Sequence, residues 1–291
     1  MSYSYLICGQ INSRIGSNNL ESYLLNLRAQ LPNAEIVVST WHGEFDTRFK
    51  NLIDCLVLSE DPGVSEFGAN WKRILVATQV GLRACESEFV VRSRIEVDFV
   101  GDRIFNREVQ KSISLLKSDE MIYPLGVVKM YARKGLMFGL PDFLQIASNH
   151  HMREYWSTDS ELKSNQDFAM VSGGSRSLSS DQAILAFYLS KSSYLNPYRD
   201  RYKFSTRNWR VFSNYLENSC YFFDEEIWGI SLGRLKREVN TKIFELNEIH
   251  PGLLKPKMHL FSIFHFYISM KRSQMIRLGT RSLVRWKTGS F

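Results

Sequence analysis

Residues 89–98 read Phe89-Val-Val-Arg92-Ser-Arg94-Ile-Glu96-Val-Asp98. The first three are apolar and strand-favouring, and four charges follow at alternate positions. In a covered α/β sheet, a buried strand that runs straight into charges puts chemistry at its carboxyl end. Working outward, Tyr5–Cys8, Glu35–Ser39 and Cys55–Leu58 are similar short runs. They give way to Gly9-Gln10, to Thr40-Trp-His-Gly-Glu44 and, beyond Glu60, to the turn residues Asp61-Pro62-Gly63. Between them, Leu20, Tyr23, Leu24 and Leu27, and then Trp71, Ile74, Leu75, Thr78, Leu82 and Cys85, recur at helical spacing. Strands alternating with amphipathic helices predict an α/β fold, a mostly parallel central sheet with helices on both faces. Gly81 inside the second helix costs about 1 kcal/mol against Ala, which predicts close packing on the sheet.

The composition is that of a globular chain: 291 residues, 44% hydrophobic, 23% charged and rich in aromatics. Disorder and fibrous architectures are excluded. Cys8, Cys55, Cys85 and Cys220 show no C-x-x-C spacing, which argues against a zinc module or a disulfide scaffold. The opening MSYSYLICGQIN lacks a basic n-region, so the expected compartment is cytoplasmic. The net charge of +7 is uneven, because eight Lys and Arg and no acid follow Glu248. The expected organisation is therefore a near-neutral domain over 1–248 and a basic C-terminal tail over 249–291.

Three constellations carry candidate chemistry. Glu96 and Asp98, if extended, share a side and converge. Two such carboxylates suit Mg²⁺ or Mn²⁺ on a diphosphate, with Arg92 and Arg94 neutralising phosphate oxygens or orienting the carboxylates. The same spacing also fits a solvated salt-bridge ladder. Asn70 and Arg73, three apart near a helix start, could meet a sugar hydroxyl or a phosphate, or form a plain polar edge. Thr40, Trp41 and Glu44 offer an aromatic face with polar neighbours, although Trp41 would serve equally as a core anchor. No nucleophile elbow, HExxH, P-loop or GxGxxG motif is present.

In the tail, Met258–Met270 holds no formal charge and is too short to span a bilayer as a helix. His259, Ser262, His265 and Ser269 would form a polar stripe, with bases flanking. That pattern predicts a helix at an anionic membrane surface, with packing on the domain as the alternative. Nucleic acid is disfavoured, since no reading module accompanies the bases.

These segments resemble, in chain order, the WavE family of lipopolysaccharide-synthesis proteins, which look like GT-A-type glycosyltransferases. Ile7-Cys-Gly-Gln-Ile11 resembles the family's opening, and Leu31-Pro-Asn-Ala-Glu-Ile-Val-Val-Ser-Thr-Trp-His-Gly-Glu44 is similar to its PNAEIVLSTWxGE segment. Asp61-Pro62-Gly63, Asn70-x-x-Arg73, Thr78-Gln-Val-Gly-Leu82, Arg92-Ser-Arg94-Ile-Glu96, Phe138-Gly139 and Asp181-Gln182 continue the likeness. Glu96 stands where the family usually has Asp. The resemblance implies sugar transfer from a nucleotide-sugar donor to a lipid-linked or other cell-surface glycan acceptor. The expected location is the inner face of the cytoplasmic membrane. It further implies that Gly9 and Gln10 approach the nucleotide and that Glu96 and Asp98 hold the metal. Arg133-Lys134 stands where family members place an Asp before the Phe-Gly pair, and if the enzyme inverts, Asp142 and Asp181 are the candidates for the base. A nucleotidyltransferase, or an assembly factor without activity, are the alternatives.

Overall fold

The computed structural model of the chain describes residues 2–11, 17–63, 71–100, 102–124, 140, 142–157, 180–193, 206–223, 227–231, 245–250 and 253–257. Its spine is a sheet whose order is β10-β11-β8-β6-β7-β4-β1-β2-β3. These strands are β1 (Tyr3–Cys8), β2 (Glu35–Trp41), β3 (Cys55–Ser59), β4 (Phe89–Ser93), β6 (Met121–Pro124), β7 (Leu144–Ser148), β8 (Cys220–Phe223), β10 (Glu245–His250) and β11 (Leu253–Lys257). A separate small sheet pairs β5 (Asp98–Phe99) with β9 (Ile230–Ser231). The helices are α1 (Ser17–Gln30), α2 (Trp71–Ala84), α3 (Ile104–Ile113), α4 (Asn149–Trp156), α5 (Ser180–Ser190) and α6 (Thr206–Ser219).

The expected α/β architecture is present, a central sheet with helices on both faces. Strands β3, β2, β1 and β4 form a parallel block, and β6 also pairs with β8 in parallel. The remaining pairings of the large sheet are antiparallel, with β7 wedged between β4 and β6.

Every residue of β1 is buried, which requires cover on both faces. Its period of two sends Leu6 and Cys8 into one core with α2, α4, α5 and α6. Tyr3, Tyr5 and Ile7 enter the other core, where α1 contributes Leu20, Leu24 and Leu27 and α3 contributes Phe105, Val109 and Ile113. Gly81 lies where α2 presses on the sheet, as its position predicts. A Cβ there would sit 2.5 Å from Leu6 Cδ1 and 2.7 Å from Ser39 Cβ.

Two expectations are corrected. The boundary at 248 falls inside the β10–β11 hairpin, and β11 pairs with β8 through Leu253 and Leu254. The sheet therefore continues to Lys257, nine residues into the segment assigned to the tail. The extended reading of 89–98 also fails after Ser93. Val97 donates to the Arg94 carbonyl at 3.3 Å, closing a turn before β5 begins. The alternation that would bring Glu96 and Asp98 together is broken there. The tail from Met258 onward lies outside the described residues.

Candidate active site

Chain order turns back at β1: β2 and β3 build outward on one side of it, and β4 joins on the other. In open α/β sheets, ligands bind beyond the carboxyl ends of the strands at such a switch point. A small cleft of about 40 Å³ sits there, lined among the described residues by Cys8, Gly9, Gln10, Trp41, Arg73, Ile74, Arg92, Arg94 and Glu96. Seven of these were candidates from the sequence alone, drawn from four separate segments of the chain.

The loop after β1 is held by its neighbours. Gly9, at φ +105°, donates its N–H to the Ser39 carbonyl at 3.1 Å. The Thr40 hydroxyl donates to the Gly9 carbonyl at 2.7 Å, and a Glu44 carboxylate oxygen accepts the Ile11 N–H at 3.0 Å. Thr40 and Glu44 therefore shape the Gly9–Ile11 loop and do not line the cleft. Trp41 does line it; the residue is 3% exposed and its indole N–H has no acceptor among the described residues. Trp41 ends β2 and serves as core anchor and cleft wall at once.

The arginines dominate the electrostatics. Arg73 forms a bidentate pair with Asp61 from Nε and Nη2, which holds the Asp61 carboxyl below its ordinary range. Arg92 is 0% exposed. Its Nε donates to the Thr78 hydroxyl at 3.1 Å, its Nη1 donates to the Asp142 carbonyl, and its guanidinium lies 4.2 Å from the Trp156 ring centre. Arg94 stacks at 4.5 Å on Phe143, donates from Nη2 to Glu96 Oε1 at 3.1 Å, and places Nη1 3.6 Å from Asp142 Oδ1.

The sequence missed Thr78, Trp156 and Phe143 as members of this network. The signal was the buried position of Arg92 itself, since a guanidinium in a covered strand needs partners on the facing helices. Asn70 lies outside the described residues. Asp181 is in α5, with its side chain outside them. Asp142 is 2% exposed, is absent from the described lining, and is engaged by both arginines.

The expected metal pair does not fit a divalent ion as described. Glu96 reaches the cleft, but its Oε1 accepts from Arg94. Asp98 is exposed on β5 opposite Ser231, away from the described lining, and partial desolvation raises its carboxyl above the ordinary value. Among the described residues no three His, Cys, Asp or Glu side chains group to hold a metal.

The model of the WavE lipopolysaccharide synthesis family matches residues 5–278. No curated protein matches. Among solved structures, S. aureus TarS 1–349 is 16% identical at a TM-score of 0.36, covering 65% of this chain and 56% of its own. The mannosyltransferase PcManGT from Pyrobaculum calidifontis, in complex with GDP-Man and Mn²⁺, is 11% identical at 0.38, covering 68% and 66%. A cytidylyltransferase from Leptospira borgpetersenii is 14% identical at 0.35, covering 54% and 65%. The chain thus spans between about half and two thirds of these structures. All three scores are below 0.5.

Proposed function

This chain belongs to the WavE lipopolysaccharide synthesis family, and from that premise we propose that it is a glycosyltransferase acting on a cell-surface glycan with a nucleotide-sugar donor. The observation that carries the reading is the gathering of Gly9, Gln10, Trp41, Arg73, Arg92 and Arg94 around one cleft at the switch point. The loop backbone at Gly9 and Gln10 suits close approach by a nucleotide, and Trp41 offers an aromatic edge with an N–H donor for its acceptor atoms. The arginines suit the diphosphate, where negative charge develops as the leaving group departs.

In the transfer, an acceptor hydroxyl attacks the sugar's anomeric carbon. The bond to the diphosphate breaks with its electron pair on the phosphate oxygen, and the hydroxyl proton passes to a carboxylate. Of the two candidates for that base, Asp142 is engaged by Arg92 and Arg94, which leaves Asp181. The basic residues after Glu248 support an anionic, lipid-linked acceptor at the inner face of the cytoplasmic membrane. Among the described residues no helix is long and apolar enough to cross a membrane.

The test is the product. Incubated with nucleotide sugars and an acceptor lipid extract, the protein is expected to release a nucleoside diphosphate or monophosphate. Pyrophosphate released from a nucleoside triphosphate would instead establish a nucleotidyltransferase. With neither product from any donor, the assembly-factor reading takes its place.

A further inference from the structure

We propose that the cleft holds the donor's diphosphate with arginine guanidiniums in place of a divalent ion, and that Glu96 and Asp142 are positioning residues that aim Arg94. This rests on the nucleotide-sugar reading and deepens it to how the phosphates are bound.

The first argument is the charge of Arg92. Its three described partners are the Thr78 hydroxyl, the Asp142 carbonyl and the Trp156 ring, all neutral, although the residue is fully buried. A guanidinium withdrawn from water onto neutral partners gains from an anion far more than a solvated one does. Arg92 belongs to the wall of the cleft, so an anion there lies beside its buried charge. The other two arginines of the lining are matched within the chain, Arg73 by Asp61 and Arg94 by Glu96 and Asp142.

The second argument is the posture of Arg94. Phe143 supports the guanidinium plane, Glu96 takes one terminal nitrogen and Asp142 faces the other. The Arg94 backbone N–H is fixed by the Phe143 carbonyl at 3.0 Å. A planar fork held in this way is pre-organised for the paired oxygens of a phosphate. Asp142 also links the two arginines, giving its carbonyl to Arg92 and its carboxylate to Arg94. That is the work of a group that orients others, and it leaves Asp181 as the candidate base.

The test is binding to the full chain, with UDP, GDP, CDP and ADP measured by calorimetry and the matching nucleosides by ligand-observed NMR. Each is run in EDTA and in MnCl₂. One nucleoside diphosphate is expected to bind in EDTA within about threefold of its affinity in Mn²⁺. Arg94→Gln and Asp142→Asn should each weaken that diphosphate by about tenfold or more, the effect of a lost charged hydrogen bond, and leave the nucleoside within about twofold. A merely structural role would weaken nucleoside and diphosphate together, and that result overturns the positioning assignment. Diphosphate binding that needs Mn²⁺ and disappears in Glu96→Gln overturns the proposal while sparing the nucleotide-sugar reading. If no nucleoside diphosphate binds under either condition, both fall. Arg94 is only partly buried, so Arg94→Gln keeps the test standing should Asp142→Asn fail to fold.

Discussion

The two ends of β4 each open onto a hollow, and they use polar side chains in opposite ways. At the strand's start lies the larger one, about 550 Å³, whose lining includes Glu86, Glu88, Lys117, His150 and Arg153. There, side chains close off backbone groups. Asn149 Nδ2 donates to the Cys85 and Ser87 carbonyls at 3.0 and 3.2 Å, and Arg153 Nη2 donates to the Leu82 carbonyl at the end of α2 at 2.8 Å. At the strand's finish the cleft is more than tenfold smaller, yet its side chains mainly hold other side chains, and one buried cation has only neutral partners among the described residues. Volume therefore does not identify the functional end. What separates the two is Arg92, a buried guanidinium whose described partners are all neutral.

The strongest way to break this comparison is Arg92→Lys. It keeps the charge but loses the fork and the stacking on Trp156. Donor-dependent transfer is expected to fall about 100-fold, the cost of about two charged hydrogen bonds, while the folded state persists. A variant with kcat/KM within threefold of wild type would place the anion elsewhere. Next in size is Gly81→Ala. Its added Cβ would push α2 away from Leu6 and Ser39, destabilising the fold by about 2 kcal/mol and lowering Tm by about 5 °C. An unchanged melting curve would mean that α2 does not bear on the sheet as described. Arg153→Ala sharpens the contrast from the other end. Loss of its bond to the Leu82 carbonyl should cost about 1 kcal/mol of stability by denaturant titration. Nucleotide affinity should stay within twofold, and a larger loss would give the distal hollow a part in donor binding.

How legible each region was follows from the range of its interactions. Strands β1 to β4 and helices α1 and α2 show in the sequence because apolar period and turn residues are local signals. Tyr5–Cys8 and Cys55–Leu58 lie within strands that run only a residue or two further. The hairpin of β10 and β11 was hidden because Glu245-Leu-Asn-Glu248 is polar and Pro256 sits within a strand, where Pro is ordinarily excluded from the interior. Around the cleft, residue types were legible and roles were not. Nothing local shows that a turn follows Ser93 and parts Glu96 from Asp98. Nothing local links Arg92 to Thr78 on α2 or to Trp156 on α4 either. Roles in this site are set by contacts between distant segments, which a spacing rule does not contain.

Helix α4 joins the two ends, with His150 and Arg153 at the distal hollow and Trp156 beneath Arg92. His151 sits between them, 1% exposed, edge-on to the Tyr188 ring at 5.6 Å, with no partner for its Nε2 among the described residues. Burial lowers its pKa below the ordinary value, against the smaller upward pull of Glu154 and Asp119. A histidine held neutral in this way binds its proton more weakly folded than unfolded. The stability it contributes is present above the unfolded pKa of about 6.5 and is lost as pH falls through that value towards the folded one. Denaturant midpoints between pH 7.5 and 5 should therefore decline in wild type and decline less in His151→Phe. This is the smallest of the four effects, since other groups titrate over the same range. Its sign is still decisive: equal slopes in the two proteins would mean that α4 does not hold His151 neutral. Acid would then reach the cleft without first loosening the helix that carries Trp156.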